Sequence, residues 1–257
     1  MPNRLRVYHR PTDLPTALSL LQSPHHHPLN LSPRPPLEPF ANAEAVVDLS
    51  GLNLDRLSET AATISIGGQT TLQAMADSPI LRHLANDLLP QAIKYVAQLG
   101  LRHVATLSAT LASPDSSPEL LLALLALHAQ VVVQGKKPRT VSLMDYAADP
   151  DDLLIEVNFA RPIAAQAAIA RVARTPRDAA IVAAVAVVTP HAATIAVGGA
   201  SPQPLVLQSA QPNSLPDAIL AAANPIPDYR GSAEYRQAMA GVLAHRALTT
   251  ATQGRQL

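Results

Sequence analysis

"ATISIGGQTTLQAMADSP" (Ala62–Pro79) is the stretch of this 257-residue chain from which we predict the fold class. Its apolar beginning indicates a strand, and the Gly67–Gly68 pair indicates a turn. The residues after the turn indicate a helix, which Asp77 to Pro79 terminate. Strand and helix follow each other closely, so the segment predicts a mixed α and β fold.

The segments upstream continue this alternation. RLRVYHR (4–10) and AEAVVDLS (43–50) indicate strands, and PTDLPTALSLLQS (11–23) indicates a short helix between them. A proline-rich stretch separates this helix from the second strand.

Downstream, two helices and a hairpin are predicted. ILRHLANDLLPQAIKYVAQLG (80–100) predicts a long helix that is interrupted at Pro90. SSPELLLALLALHA (116–129) predicts a helix with Ser117 as its N-cap. QVVVQGKKPRTVSLMDY (130–146) predicts a hairpin around Gly135.

The composition changes near residue 160. Three strand-like runs follow with short connections, AAIARVART, DAAIVAAVAVV and ATIAVGGA, which favour an antiparallel meander. SAEYRQAMAGVLAHRALTT (232–250) predicts a closing helix with Ser232 as its N-cap. We therefore predict an α/β-type N-terminal region to about residue 160 and a smaller α+β region after it.

The composition excludes several classes of function. The chain has 19 basic and 19 acidic residues, so it has no excess of positive charge for nucleic acid or an anionic membrane. Only 3% of its residues are aromatic, which gives few side chains for stacking on bases. It has no cysteine, which excludes disulfides, thiolate catalysis and cysteine-bound clusters in this chain. Its apolar runs are far shorter than the roughly 20 residues of a membrane-spanning helix. We expect a cytoplasmic protein.

The histidines and glycines give no strong sign of chemistry. His25, His26 and His27 are consecutive, and neighbouring side chains of an extended chain point to opposite sides. We therefore expect a surface turn without a metal site. The sequence holds no Gly-x-Ser-x-Gly elbow, no dinucleotide fingerprint and no Walker-type phosphate loop. The residues alone predict no catalytic group.

The order of several motifs resembles the flavoprotein subunit of the molybdenum hydroxylases, the family of carbon monoxide dehydrogenase and xanthine dehydrogenase. The similarity runs from YHRPTDLPTALSLL through ISIGGQTTLQAMADSPIL and LRHVATLSATLAS to DYRGSAEYRQAMAGVLAHRAL. The resemblance implies an α+β protein with two domains. Residues 1–160 form the two-subdomain FAD-binding fold of that family, with subdomains of about 1–55 and 56–160. Residues 161–257 form its C-terminal domain, a three-stranded antiparallel sheet with helices. It also implies molybdopterin-binding and iron-sulfur subunits as partners.

Both glycine-rich loops that bind FAD in that family are altered in this chain. The resemblance places the first loop on PLNLSPRPPL (28–37), which has no glycine and several prolines that lack an N–H. It places the second on TLSAT (106–110), where Ser108 and Ala109 replace the two glycines and Thr110 replaces the asparagine. Glycine lets backbone amides converge on a phosphate, so these changes remove the expected cradle.

If FAD is retained, the resemblance assigns its binding to the second loop and to residues further along the chain. Glu119 corresponds to the family's downstream acid, Arg171 stands where a lysine is common, and Leu153 belongs to the retained scaffold. The candidate cofactor-binding residues are Thr106, Ser108, Thr110, Glu119, Leu153 and Arg171, with no catalytic and no metal-binding residue.

Two functions stay open at this point. In the first, the chain has lost tight FAD binding and acts as a structural or docking subunit, so no cofactor is expected. In the second, it binds FAD and relays electrons from a partner's iron-sulfur cluster to an external acceptor. The altered loops favour the first, and we expect the purified protein to carry no FAD.

Overall fold

The structure, a computed structural model, describes residues 5–29, 43–96, 99–113, 118–135, 137–149, 152–176 and 178–254. The chain divides into two compact units, each built from segments that are separate in sequence. Unit 1 comprises Met1–Ala74, Gln98–Ser116 and Gln130–Phe159, and unit 2 comprises Met75–Ala97, Ser117–Ala129 and Ala160–Leu257. The division into domains near residue 160 stays a prediction.

A small parallel sheet opens unit 1. Strands β1 (Val7–His9), β2 (His26–Pro28) and β3 (Ala45–Val47) pair in the order β1-β3-β2, with helix α1 (Leu14–Leu21) between the first two. Asp13 caps this helix, because its carboxylate accepts a hydrogen bond from the amide of Thr16 at 2.9 Å. The strands at 4–10 and 43–50 and the helix at 11–23 are thereby confirmed.

The histidine run differs from the predicted surface turn. His26 and His27 lie in β2 and are half-buried, and only His25 is exposed. His26 contacts the carbonyl oxygen of Leu20 through Nδ1 at 2.8 Å, so the ring is held by α1. Residues 30–37 of the altered first loop lie outside the described residues.

A second sheet of five strands completes unit 1. Strands β4 (Leu57–Glu59), β5 (Thr63–Gly67), β6 (Gln130–Gln134), β7 (Pro138–Ser142) and β8 (Leu153–Ala160) pair in the order β4-β5-β8-β6-β7. The predicted hairpin at 130–146 is confirmed as the antiparallel pair β6–β7. Helix α2 (Leu72–Asp77) follows β5 after the glycine pair, as predicted.

The segment 80–100 departs from the long helix that was predicted. Backbone φ is positive at His83, Ala85, Asn86 and Asp87, so helix α3 (Leu88–Lys94) begins only after them. Pro90 lies in the first turn of α3, where its missing N–H breaks no helical hydrogen bond. Three further helices follow in the chain: α4 (Leu99–Arg102), α5 (Leu107–Ala112) and α6 (Pro118–Ala126). Ser117, the predicted N-cap of α6, lies outside the described residues.

Unit 2 is built on an antiparallel sheet with one strand more than predicted. Strands β9 (Gln166–Val172), β10 (Val182–Val188), β11 (Ala193–Gly198) and β12 (Leu205–Ser209) pair in the order β12-β11-β10-β9. The first three are the predicted meander. The fourth strand was not predicted, and prolines precede and follow it in the sequence. Every residue of β10 is buried, so both faces of the sheet are covered at its centre.

Helices cover this sheet. α6 packs on β10 and β11, and helix α8 (Ala233–Gln253) packs on β9 and β10, with α7 (Leu215–Ala222) beside α8. Ser232 caps α8 as predicted, because its Oγ accepts a hydrogen bond from the amide of Tyr235 at 3.2 Å. Among the described residues, no helix combines the length and the apolar character that crossing a membrane requires.

Candidate functional site

A cleft in unit 1 encloses about 750 Å³, including its open mouth. The end of α1, the turn after β3, the segment after β5, helix α5 and the start of β8 border it. Most lining residues are apolar, and we call them the walls. We call Gln69 and Ser108 the floor, and Tyr146, Asp149 and Asp152 the rim. The lining residues are Leu21, Pro28, Leu49, Leu54, Gln69, Ser108, Ala112, Tyr146, Ala148, Asp149, Asp152, Leu153 and Leu154. We refer to it as the unit 1 cleft.

Two chain segments pair to form the polar floor. The amide of Leu72 donates to the carbonyl of Ala105 at 2.9 Å, and the amide of Ser108 donates to the carbonyl of Gly68 at 2.8 Å. Thr71 and Thr106 face each other in this short antiparallel bridge. The segment after the glycine pair and the predicted second cofactor loop, residues 106–110, are therefore neighbours.

The glycine pair has a packing role at this floor. A Cβ at Gly67 would collide with the carbonyl oxygen of Leu54, and one at Gly68 would collide with that of Leu154. The amide of Gly68 also donates to the carbonyl of Ile155 at 2.8 Å. The pair thus allows close backbone contact at the end of a strand.

We expect Gly68→Ala to lower the free energy of unfolding by about 1–3 kcal/mol, because its Cβ meets backbone that cannot rotate away. Gly100→Ala is the matched control, since a Cβ there meets nothing within 4 Å. Urea unfolding of both variants measures the difference. Equal stability of the Gly68 variant and the wild type would show that the collision is relieved.

The backbone amides of the turn that starts α5 are already hydrogen-bonded within the chain. Thr106 is the N-cap, and its Oγ1 accepts from the amide of Ala109 at 3.3 Å. The amide of Thr110 donates to the carbonyl of Thr106 at 3.0 Å, and that of Leu107 donates to Thr70 at 3.0 Å. With the bond from Ser108, each amide from 107 to 110 has a partner within the chain. A ligand at this turn must therefore be held by side chains.

Ser108 is the side chain of this turn that lines the cleft. Its Oγ accepts a hydrogen bond from Gln69 Nε2 at 3.2 Å and lies 3.2 Å from Thr106 Oγ1. Thr110, by contrast, donates its hydroxyl to the carbonyl of Thr106 at 2.7 Å. The sequence analysis missed Gln69, although its place directly after the glycine pair brings it to the same floor.

The rim of the cleft carries two carboxylates and a tyrosine. Asp152 lies 2.6 Å from the guanidinium of Arg139, and its side chain is buried. Burial, together with the negative charge of Asp152, raises the pKa of Tyr146 above its usual value. Tyr146 therefore keeps its proton at neutral pH and can donate a hydrogen bond at the rim.

Two buried hydrogen-bond donors of unit 1 lack an acceptor among the described residues. They are Thr70 Oγ1, one residue from Gln69, and Nε of Arg102, four residues before Thr106. A buried donor without an acceptor costs about 1–3 kcal/mol, more for a charged group. Neither residue lines the unit 1 cleft. The cleft itself combines apolar side chains with the hydrogen-bonding groups of Gln69, Ser108 and Tyr146.

The remaining two predicted site residues lie in unit 2 and contact each other. Arg171 Nε is 2.6 Å from Glu119 Oε1, and both side chains are nearly fully buried. Arg171 also lies over the ring of Tyr95, with 4.7 Å between its Cζ and the ring centre. Its other nitrogens donate to the carbonyls of Pro176 and Asp178.

The predicted site residues thus fall into two groups. Ser108 and Leu153 line the unit 1 cleft, with Thr106 and Thr110 shaping its floor, whereas Glu119 and Arg171 form an ion pair within unit 2. The structure leaves their role in cofactor binding as a prediction.

Comparison with known proteins places this geometry in a family. Residues 3–159 match the family described as FAD binding domain in molybdopterin dehydrogenase. The chain is 29% identical over 204 residues to the uncharacterized protein YgfM of Escherichia coli (strain K12), which covers 77% of this chain and 76% of that protein.

Solved structures share the fold over nearly the whole chain. Reconstituted CO dehydrogenase from Oligotropha carboxidovorans matches with 25% identity and a TM-score of 0.84 over 98% of both chains. Quinoline 2-oxidoreductase from Pseudomonas putida 86 matches with 21% identity and a TM-score of 0.85 over the full length of both.

The family match contradicts the expectation that the chain has no cofactor. That expectation gave most weight to the glycines and amides lost from two loops, and it did not include Gln69, which lines the cleft beside Ser108. The match covers 3–159, which includes both loops, the cleft and its floor. The chain belongs to the family of FAD binding domains in molybdopterin dehydrogenases.

Proposed function

We propose that this chain is the flavin-binding subunit of an oxidoreductase of the molybdenum hydroxylase type, and that it binds FAD in the unit 1 cleft. The observation that carries the proposal is the cleft itself. It lies in the part of the chain that matches the FAD-binding family, and it combines apolar walls with a polar floor. A dinucleotide with flat rings and a diphosphate requires both kinds of surface.

Side chains take over the role of backbone amides in this proposal. Ser108 and Gln69 bind the diphosphate from the floor, because the amides at 107–110 are already used within the chain. Leu153, together with the other leucines of the walls, packs against a ring and excludes water. Thr106 and Thr110 hold the turn in place. The buried pair of Glu119 and Arg171 supports unit 2.

Bound FAD supplies the ability to accept electrons and to pass them on. The protein's part is to bind the cofactor, to orient it and to shield it from water. The proposed electron donor is an iron-sulfur cluster in a partner subunit, alongside a molybdopterin-binding subunit, and the final acceptor is external. We propose a cytoplasmic location, with which a chain without cysteine is compatible.

Titration of the purified chain with FAD, followed by flavin fluorescence, tests the proposal. We expect one site with a dissociation constant near the micromolar range or below. FMN, which lacks the adenosine half, should bind at least about tenfold more weakly, a difference of about 1.4 kcal/mol. Failure of FAD to bind to the folded chain would contradict the proposal.

A further inference from the structure

A second cleft lies wholly within unit 2 and takes no part in the proposed flavin site. Its volume of about 440 Å³ is within the size range of small-molecule sites. The end of α6, the segment after β8, the turn between β10 and β11, and β12 border it. We refer to it as the unit 2 cleft.

Its floor is a row of three residues across the sheet. Val187 of β10 pairs with Thr194 of β11, which pairs with Gln208 of β12, so the three side chains share one face. Thr194 is only 4% exposed, and its Oγ1 lies 3.1 Å from Nε2 of His128. The buried hydroxyl therefore fixes the imidazole over the floor through one ring nitrogen.

His128 occupies a backbone position that favours glycine. It follows α6 with a φ of +54°, in the left-handed region where helices commonly end on glycine. A side chain in this conformation costs about 1–2 kcal/mol. This conformation places an imidazole at the edge of the cleft despite its cost, which indicates a functional role for the side chain.

The charged and titratable side chains that line the cleft are all of the basic type. They are Arg161, His128 and His191, and no Asp or Glu is among the described lining residues. Thr189 Oγ1 fixes the turn that carries His191, because it accepts from the amide of Ala192 at 3.1 Å and donates to its carbonyl at 2.9 Å. These groups favour an anionic ligand.

The rest of the lining is apolar. Leu127, Val187 and Ile163 contribute large apolar side chains, and Ile163 is 74% exposed. An exposed isoleucine beside a basic rim suits a ligand that has both an apolar body and an acidic group. An inorganic anion would leave this apolar surface uncovered.

We propose that the unit 2 cleft binds a small organic acid with a flat apolar body, of the aromatic carboxylate class. The carboxylate faces His128, His191 and Arg161, and the ring packs against Leu127 and Ile163. The proposal is independent of FAD binding, since every lining residue belongs to unit 2.

Isothermal titration calorimetry with benzoate tests this proposal, with benzyl alcohol as the neutral probe of the same shape. We expect a dissociation constant of about 1 mM or below for benzoate and at least tenfold weaker binding of benzyl alcohol. Arg161→Gln and His191→Gln should each weaken benzoate binding at least about fivefold, that is, by about 1 kcal/mol. Arg246→Gln, on the exposed face of α8, is the matched control and should bind as the wild type does.

Three results would overturn the proposal. They are no benzoate binding by the folded wild type, equal binding of the alcohol, and unchanged benzoate binding in the Arg161 and His191 variants. Both of these residues are exposed, so the variants are expected to fold, and circular dichroism checks that they do.

Discussion

Glu119→Gln should lower the free energy of unfolding by about 3–5 kcal/mol, because it leaves the charge of Arg171 buried without its counter-ion. The two side chains are 3% and 10% exposed, and they lie 2.6 Å apart between α6 and β9 of unit 2. Removal of either side chain alone would therefore leave a buried charge without its partner. Urea unfolding, followed by circular dichroism, measures the loss.

Two further variants test whether the loss of stability comes from the unpaired buried charge. The double variant Glu119→Leu, Arg171→Met should lose less stability than the sum of the two single changes, because it leaves no buried charge. Asp77→Asn is the exposed control: Asp77 lies 3.3 Å from Arg82 with more than half of each side chain exposed, and the change should cost about 1 kcal/mol or less. A Glu119→Gln loss as small as that of the control would contradict the assigned role.

Ser108→Ala should weaken FAD binding by about ten- to a hundredfold. A hydrogen bond to a charged group contributes about 1.5–3 kcal/mol, and each 1.4 kcal/mol is a factor of ten in the dissociation constant. Ser108 carries the hydroxyl of the α5 turn that lines the cleft. Flavin fluorescence titration of the variant measures the change.

The direction in which Ser108→Gly changes the affinity for FAD distinguishes side-chain binding from backbone binding of the diphosphate. If side chains bind the diphosphate, this variant weakens FAD binding as alanine does, although it restores the residue type of the family's loop. If close approach of the backbone to the diphosphate determines the affinity, the glycine variant binds FAD more tightly than the wild type does, and the proposed role of the side chains is wrong. Ser58→Ala, at an exposed position of β4 outside the cleft, is the control and should leave the affinity unchanged.

The sequence predicted those elements whose signals are local. The Gly67–Gly68 turn between β5 and α2, the β6–β7 hairpin and the Ser232 cap of α8 all depend on residues within a few positions of one another. Such signals act through turn geometry and capping bonds, which need no knowledge of the rest of the chain.

Other elements could not be predicted because distant contacts decide them. Asn86 and Asp87 adopt the left-handed region inside an apparently helical pattern, so α3 starts late. Strand β12 is short and bounded by prolines, and it is a strand because β11 provides its pairing edge. Its five residues carry too weak a pattern to be recognised alone.

The candidate site shows the same limit. The family resemblance identified Ser108 and Leu153, which line the unit 1 cleft, but Gln69 was missed. Two of the amides at 107–110 are hydrogen-bonded because residues 68–72 pair with residues 105–108. The two segments are about 40 positions apart in sequence, so a local pattern cannot predict their pairing. The count of lost glycines therefore predicted an absent cofactor, and the family match contradicts that prediction.

A crystal structure of the chain with FAD tests the central claim most directly, because it locates the cofactor. The account predicts FAD in the unit 1 cleft, with the diphosphate within hydrogen-bond distance of Ser108 Oγ and Gln69 Nε2 and a ring against Leu153. FAD bound elsewhere on the chain, or a diphosphate held without either side chain, would contradict it.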